Sequence, residues 1–570
     1  MLGWELKVLK IKMLLIFNSL IHAYNDMSNS LVLRYSVYVD KSYLYFRSGN
    51  LGETYYLDAV IKFLFRIFSN FLHPVLLNNL FLLITLFMSL IITYLIFKKL
   101  SKHSVFLNAI FSILFSLSLY YLFRLISLTP SMYVTFLISL VVLLLLKKTP
   151  PFILGIVEFV VLSSSNYYGF FIFVLVGIWY FFDLISKKIS LKDFLKKIVL
   201  FIAPVLIGIL IFFFPLLKSN LTFSKSYTLE NNQRPKNEKT TVYRPLEDWY
   251  NLSFRPWYFF IPPKSSVFFG EFSKNINEKI QNTGYYLADD YMEEEMAGSY
   301  MGWHFLLGLG AVAVILLLKR YKNIEFKTFK TVYENKEMII RSFFIIFCIL
   351  LISGPPSFTI GGVEIYTPTY LLYYIVPVFR TLVRWAVVIY LFVLIINSFL
   401  VQDLYNLMKT KLQKILFILS FLTLNFVIFA IKIPVININK PPQEIAFVKE
   451  KYPESVPYAV YPKGDYYSIF WIISHEDLLI NPVNFVNYET GFDSNEFSKN
   501  LVTQEGIQEF LDKDPKYLIY YPENISNDDL QKIAEINPSL KSRENIYEFF
   551  RSNFGDGVVV GESVVFEINK

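Results

Sequence analysis

Apolar runs near membrane-spanning length alternate with short polar hinges across residues 75–217, and lysines crowd into alternate hinges. The runs are 75–97, 105–127, 131–146, 152–165, 167–182 and 198–217. Lys98, Lys99 and Lys102 follow the first, whereas Leu128-Thr129-Pro130 follows the second without charge. Lys147 and Lys148 come next, then an uncharged Ser-Ser-Ser-Asn at 163–166, then Lys187, Lys188, Lys192, Lys196 and Lys197. Basic residues in short loops stay cytoplasmic, so the lysine hinges lie inside. Further runs at 302–318, 342–353, 385–400 and 415–431 keep the alternation, with basic clusters from Lys319 to Arg341 and at Lys409, Lys411 and Lys414. A shorter run at 13–24, behind Lys7, Lys10 and Lys12, reads as the first span. The pattern predicts eleven spans, N-terminus inside and C-terminus outside.

The predicted fold class is therefore mainly α: a polytopic transmembrane helical bundle over 1–433 with a soluble extracytoplasmic α/β domain over 434–570. Three outer loops are expected. The first, 25–74, carries apolar residues at helical spacing over 55–72, with Lys62 and Arg66 between them, which reads as an amphipathic helix on the membrane surface. The second, 218–301, opens with a flexible charged stretch at 231–241. It becomes aromatic and proline-rich at 249–263, a re-entrant or interface-resting loop. Its acidic run, Asp289, Asp290 and Glu293 to Glu295, reads as a solvated helix face. The third, 355–384, follows the helix-breaking Gly354-Pro355-Pro356. In the C-terminal part, β-type runs at 458–461, 517–521, 558–560 and 564–568 are separated by helical stretches at 503–511 and 528–535.

Composition agrees. The chain is 54% hydrophobic and 18% charged, against about 45–50% and about 25% in a soluble domain. The net charge of +8 gathers in the short inner loops, so topology explains it and nucleic acid is not an expected partner. The lone Cys348 excludes an intramolecular disulfide, and the five scattered histidines show no metal-ligand spacing.

Several segments resemble the GT-C superfamily of polytopic glycosyltransferases, in particular its uncharacterised microbial branch and relatives of bacterial lipoteichoic-acid glycosylation proteins. They are His73-Pro74-Val75, Asn78-Asn79-Leu80, Tyr94-Leu95 and Lys98-Lys99-Leu100; the turn Ser163-Ser164-Ser165-Asn166-Tyr167-Tyr168-Gly169; Ser253-Phe254-Arg255-Pro256-Trp257 with Pro262-Pro263; Tyr300-Met301-Gly302; and Tyr366-Thr367-Pro368-Thr369-Tyr370 through Pro377-Val378-Phe379-Arg380. Their order along residues 25–430 is more specific than any one of them. Asn481-Pro482 resembles part of the small outer domain of many members. The resemblance implies a polyprenyl-phosphate-linked sugar donor, an acidic general base in the first outer loop, and a glycan, lipid or protein acceptor. A divalent cation, Mg²⁺ or Mn²⁺, stays open as a cofactor. The chain departs from the family in that loop: Asn25-Asp26-Met27 keeps one acid where two often stand, and Gly52-Glu53-Thr54 lacks a neighbouring Asp.

Such a transfer needs a carboxylate to deprotonate the acceptor and cations for the leaving phosphate. Asp26, directly after the first span, reads either as that base or as a helix N-cap; Glu53 has the same two readings. Asp40 and Asp58 read as surface residues. Arg124, near the outer end of its span, reads as a phosphate ligand or as a snorkelling side chain. Arg380 and Arg384 are four apart and read as a clamp on one helix face, or as headgroup anchors. Arg255 is a fourth candidate. Two function classes follow: a transferase on the outer face, or a non-catalytic relative that binds, translocates or assembles polyprenyl lipids or glycans. A channel fits less well, because few ionisable residues fall mid-span.

Overall fold

The computed structural model describes residues 74–100, 104–126, 130–230, 246–280, 298–322, 324, 326–376, 379, 381–432, 443–453, 456–462, 478–480, 486–487 and 492–568. The first span, the first outer loop with its amphipathic helix, the charged 231–241 stretch and the acidic run lie outside them.

Each of the other ten predicted spans falls on helix. In chain order these are α1 (Pro74–Leu100), α2 (Val105–Ser116) and α3 (Leu119–Ile126), then α4 (Pro130–Tyr133), α5 (Phe136–Leu146), α6 (Pro151–Ser164) and α7 (Asn166–Ile185). Next come α8 (Leu191–Glu230), the short α9 (Leu246–Asn251), α10 (Gly270–Ile280), α11 (Trp303–Lys322), α12 (Lys330–Glu334) and α13 (Lys336–Ser353). After an antiparallel hairpin of β1 (Ser357–Ile360) and β2 (Val363–Tyr366) follow α14 (Pro368–Ile375), α15 (Ala386–Leu407) and α16 (Lys411–Phe429). Six of the helical stretches are long and apolar enough to cross a membrane: 80–100, 105–124, 166–185, 303–321, 382–407 and 411–429. Among the described residues the protein is thus an integral membrane protein with six candidate spans, and the count of eleven is not established.

Helix ends follow local chemistry. Ser165 stands extended between α6 and α7, and its hydroxyl accepts from Tyr168 N–H, so the serine-rich turn stops one helix and caps the next. Thr410 and Gln413 form a capping box for α16. The predicted span 131–146 resolves into the single turn α4 and the eleven-residue α5, and 105–127 breaks between α2 and α3. The helix that carries the span 198–217, α8, continues past it to Glu230.

α15 is the centre of the bundle. It is buried on every side and packs against α2, α11, α12 and α13. A helix apolar all round is either enclosed by protein or spans lipid; here it is enclosed, and its few polar groups are spent on neighbours. Asn397 donates to Phe305 O at 3.1 Å. A Cβ on Gly308 would fall 1.9 Å from Asn397 Oδ1, so only glycine lets α11 come this close. α6 meets α8 as tightly: a Cβ on Gly155 would fall 2.2 Å from Phe201 O.

The aromatic loop packs into this core. Trp249, Phe254, Tyr258 and Phe259 are buried with the bundle residues. Phe254 N–H donates to Ser353 O at 2.7 Å, and Val383 N–H to Leu252 O at 3.1 Å. The loop therefore ties the end of α13 to the start of the central helix.

In the C-terminal part, the four expected β runs are strands: β3 (Pro457–Tyr461), β7 (Tyr517–Tyr520), β8 (Val558–Val560) and β9 (Ser563–Glu567). With β4 (Leu478–Leu479) they form a sheet ordered β4-β3-β7-β9-β8, its β4, β3 and β7 parallel and β9 and β8 antiparallel. A small separate pair joins Val486–Asn487 to Phe492–Asp493. The two expected helical stretches appear as Gln504–Leu511 and Asn527–Ile536; Gln443–Lys451, Ser494–Asn500 and Arg543–Phe554 are helices that were not expected.

Candidate functional site

Three segments meet at the end of the bundle opposite the lysine hinges: the end of α3, the start of α7, and the stretch from Phe379 through the 3-10 turn Leu382–Trp385 into α15. Their contacts are largely aromatic. Phe379 stacks on Phe170 at 4.5 Å and lies 5.3 Å from Tyr167, while Phe171 lies 4.2 Å from Trp385.

This packing brings two of the predicted arginines together. Arg124 is buried, its guanidinium 5.4 Å from the Tyr120 ring one helical turn before it. Arg384 is half-buried and lies 4.6 Å over the Tyr167 ring. The Tyr168 hydroxyl donates to Met132 O at 2.7 Å and lies 3.3 Å from Tyr120 Oη. Tyr168 thus links the Arg124–Tyr120 pair to the neighbouring Tyr167–Arg384 pair. Thr381 Oγ1 and Trp385 Nε1 in the third segment, and Ser163 Oγ near the end of α6, are buried without a hydrogen-bond partner among the described residues. Such groups cost about 1–3 kcal/mol each when left unsatisfied.

Arg255 is placed differently. Its guanidinium donates to Tyr250 O (3.1 Å), Ser253 O (3.4 Å) and Tyr258 Oη (3.1 Å), which closes the aromatic loop on itself. Arg380 lies outside the described residues. Arg384 lies in the 3-10 turn Leu382–Trp385, preceded by the non-helical Thr381 (φ −96°, ψ 76°). Asp26 and Glu53 also lie outside the described residues. Among those residues no group of three His, Cys, Asp or Glu could hold a metal ion.

Sequence reasoning gave no role to Tyr120, Tyr167 or Tyr168. The available signal was Tyr120 and Arg124 at helical i, i+4 spacing, and a tyrosine pair directly after a capping serine.

No family model matches the chain. Nor does any curated protein match it. Among solved structures, an oligosaccharyltransferase of Archaeoglobus fulgidus, crystallised with zinc and sulfate, is similar over 92% of this chain and 67% of its own, at 11% identity and a TM-score of 0.40. The archaeal oligosaccharyltransferase AglB from Archaeoglobus fulgidus, in complex with an inhibitory peptide and a dolichol-phosphate, is similar over 91% and 69%, at 12% identity and a TM-score of 0.41. Likeness at this level fixes neither fold nor function.

Proposed function

We propose that the protein is a GT-C-like membrane glycosyltransferase, moving a sugar from a polyprenyl-phosphate-linked donor to an acceptor on the extracytoplasmic face. The observation that carries this reading is the aromatic cluster that links Arg124, through Tyr120, Tyr168 and Tyr167, to Arg384, beside buried polar atoms without partners among the described residues. Guanidinium groups bind phosphate oxygens through charge-assisted hydrogen bonds. At the end of a membrane bundle, such a pair suits a phosphate whose polyprenyl tail stays in lipid. The arginine end is the extracytoplasmic one if the lysine hinges are cytoplasmic.

In this reading Arg124 and Arg384 hold the leaving phosphate, Arg255 keeps the aromatic loop closed beside them, and Arg380 is a further phosphate ligand. Asp26, or Glu53 in its place, takes the proton of the acceptor hydroxyl. The test is sugar release from a polyprenyl-phosphate-linked donor by purified full-length protein, with and without Mg²⁺ or Mn²⁺. Asp26→Asn should lower transfer by about 10²–10⁴-fold while donor binding survives, the loss expected for a general base. Full activity in Asp26→Asn moves the role to Glu53, and unchanged transfer in both Asp26→Asn and Glu53→Gln removes the active site from this loop. Donor binding without any transfer would favour a non-catalytic lipid-binding relative.

A further inference from the structure

We propose that the β1–β2 hairpin and α14 form a flange that lies in the lipid headgroup layer at the arginine end of the bundle. The occupant of this surface is the bilayer itself, whether or not the chain transfers sugar.

The hairpin turns at Gly361 and Gly362, both with positive φ (57° and 84°), the conformation of a tight two-residue hairpin loop. β2 is exposed along its whole length, which a strand belonging to a soluble core would not be. Val363 at its tip is 64% exposed, and Leu371 and Ile375 on α14 are 65% and 67% exposed. Phe358 and its cross-strand partner Ile365 share the Val363 face of the hairpin, while Tyr366 on the other face lies 4.4 Å from Tyr370, next to the exposed Tyr374. A patch of this kind marks an interaction site.

The lipid assignment rests on continuity. α14 hangs from the end of α13: Thr369 Oγ1 donates to Leu351 O at 3.1 Å, and Thr367 Oγ1 to Pro355 O at 2.7 Å. Phe347 and Leu351, the exposed apolar residues of that part of α13, lead directly onto α14. A second exposed aromatic group stands at the same end of the bundle. Phe268 and Phe272 pack by Phe426 and Trp303, whose Nε1 donates to Phe260 O. Tyrosine and tryptophan favour the headgroup level because one end of the ring is apolar and the other wet.

The flange carries one charge, and its own hydroxyls satisfy it. Ser357 Oγ donates to Glu364 Oε1 at 2.6 Å and Tyr366 Oη to Glu364 Oε2 at 3.0 Å. Tyr250 Oη, 2.5 Å from Ser357 Oγ, continues the chain into the aromatic loop. The flange is thus coupled to the loop that packs beside Arg384.

Single cysteines at Leu371 and Ile375, in a Cys348→Ser full-length background, can carry an environment-sensitive fluorophore in phosphatidylcholine–phosphatidylglycerol proteoliposomes. Emission should shift to the blue. Phospholipids bearing a nitroxide near the headgroup should quench both labels several-fold more strongly than aqueous iodide does. A label at the exposed Glu562 of the C-terminal part is the aqueous reference. Iodide quenching at 371 and 375 equal to that at 562 overturns the proposal. Shielding from both quenchers overturns it too, since protein or glycan then covers the surface. Val363→Cys gives an independent reading if one of the other variants does not fold.

Discussion

The two ends of the helical bundle hold their arginines in opposite ways. At the lysine end, Arg341 donates to Asp183 Oδ1 at 2.6 Å, reaches Glu337, and lies over the Trp179 and Phe182 rings. Lys188 pairs with the same Glu337. Asp403 of the central helix takes the N–H groups of Thr331 and Val332 at 2.9 and 3.0 Å, which fixes α12 against the core. These are carboxylates answering cations and backbone donors, the arrangement of a structural lock. At the other end, Arg124 and Arg384 lie over the Tyr120 and Tyr167 rings, and Tyr168 joins the two pairs through its contact with Tyr120. A ring holds a guanidinium by its face, a contact that does not use the in-plane N–H groups. One residue type thus serves assembly at one end and, in the reading proposed above, ligand binding at the other.

The largest expected effect tests the lock. Arg341→Ala strands the nearly buried Asp183, so it should destabilise the detergent-solubilised protein by about 3–5 kcal/mol, the cost of removing one partner of a buried pair. Thermal unfolding monitored by loss of monodisperse protein reads it. A negligible change would erase the distinction between the two ends.

Arg384→Ala should do the reverse. Binding of a polyprenyl-phosphate probe should weaken by about 1.5–3 kcal/mol, the scale of hydrogen bonds to a charged group, with thermal stability changed far less than in Arg341→Ala. Unaltered affinity would leave Arg384 as a headgroup anchor.

Midway between the ends, Gly308→Ala should cost about 1–3 kcal/mol, because the added methyl overpacks the α11–α15 contact at Asn397. The loss should appear in stability, with probe affinity per folded molecule preserved.

The smallest effect is a pH dependence in the flange. The hydroxyls of Ser357 and Tyr366 hold the Glu364 carboxyl below its ordinary range. A carboxyl lowered on folding contributes stability that is present above its unfolded pKa and lost as pH falls through the folded one. Hydrogen-exchange protection of β1 and β2 should therefore decline on acidification below the ordinary glutamate range near 4.3, and Glu364→Gln should remove that step. An unchanged step in Glu364→Gln assigns it to another group.

How much of this was legible beforehand differs by region. The C-terminal strands were readable because short runs of β-branched and aromatic residues are a local signal, whether the strand ends up buried, as Tyr458–Tyr461 within β3, or largely exposed, as Val558–Val560 in β8. Helix existence in the spans, from α1 to α8 and in α11, α13, α15 and α16, was readable for a similar reason: apolar length and lysine hinges are local properties, whereas α9, α10, α12 and α14 fell in expected loops. The serine-rich turn at 163–166 carried its own stop and cap. The hairpin at 357–366 was missed, although Gly361-Gly362 between alternating residues is a hairpin signal, because the stretch lay in an expected loop.

By itself, then, the sequence determined where the chain is apolar, where it turns, and which hinges are basic. It placed Arg124 and Arg384 near helix ends, because helical register follows from chain position. Only the tertiary structure decided that α15 is the enclosed helix, since a buried helix and a lipid-facing one are equally apolar in composition. It also decided that Arg124 and Arg384, 260 positions apart, join one tyrosine cluster while Arg255 turns inward onto its own loop. Those outcomes depend on which helices pack together, and side-chain contacts between distant segments leave no periodicity in the sequence from which to read them.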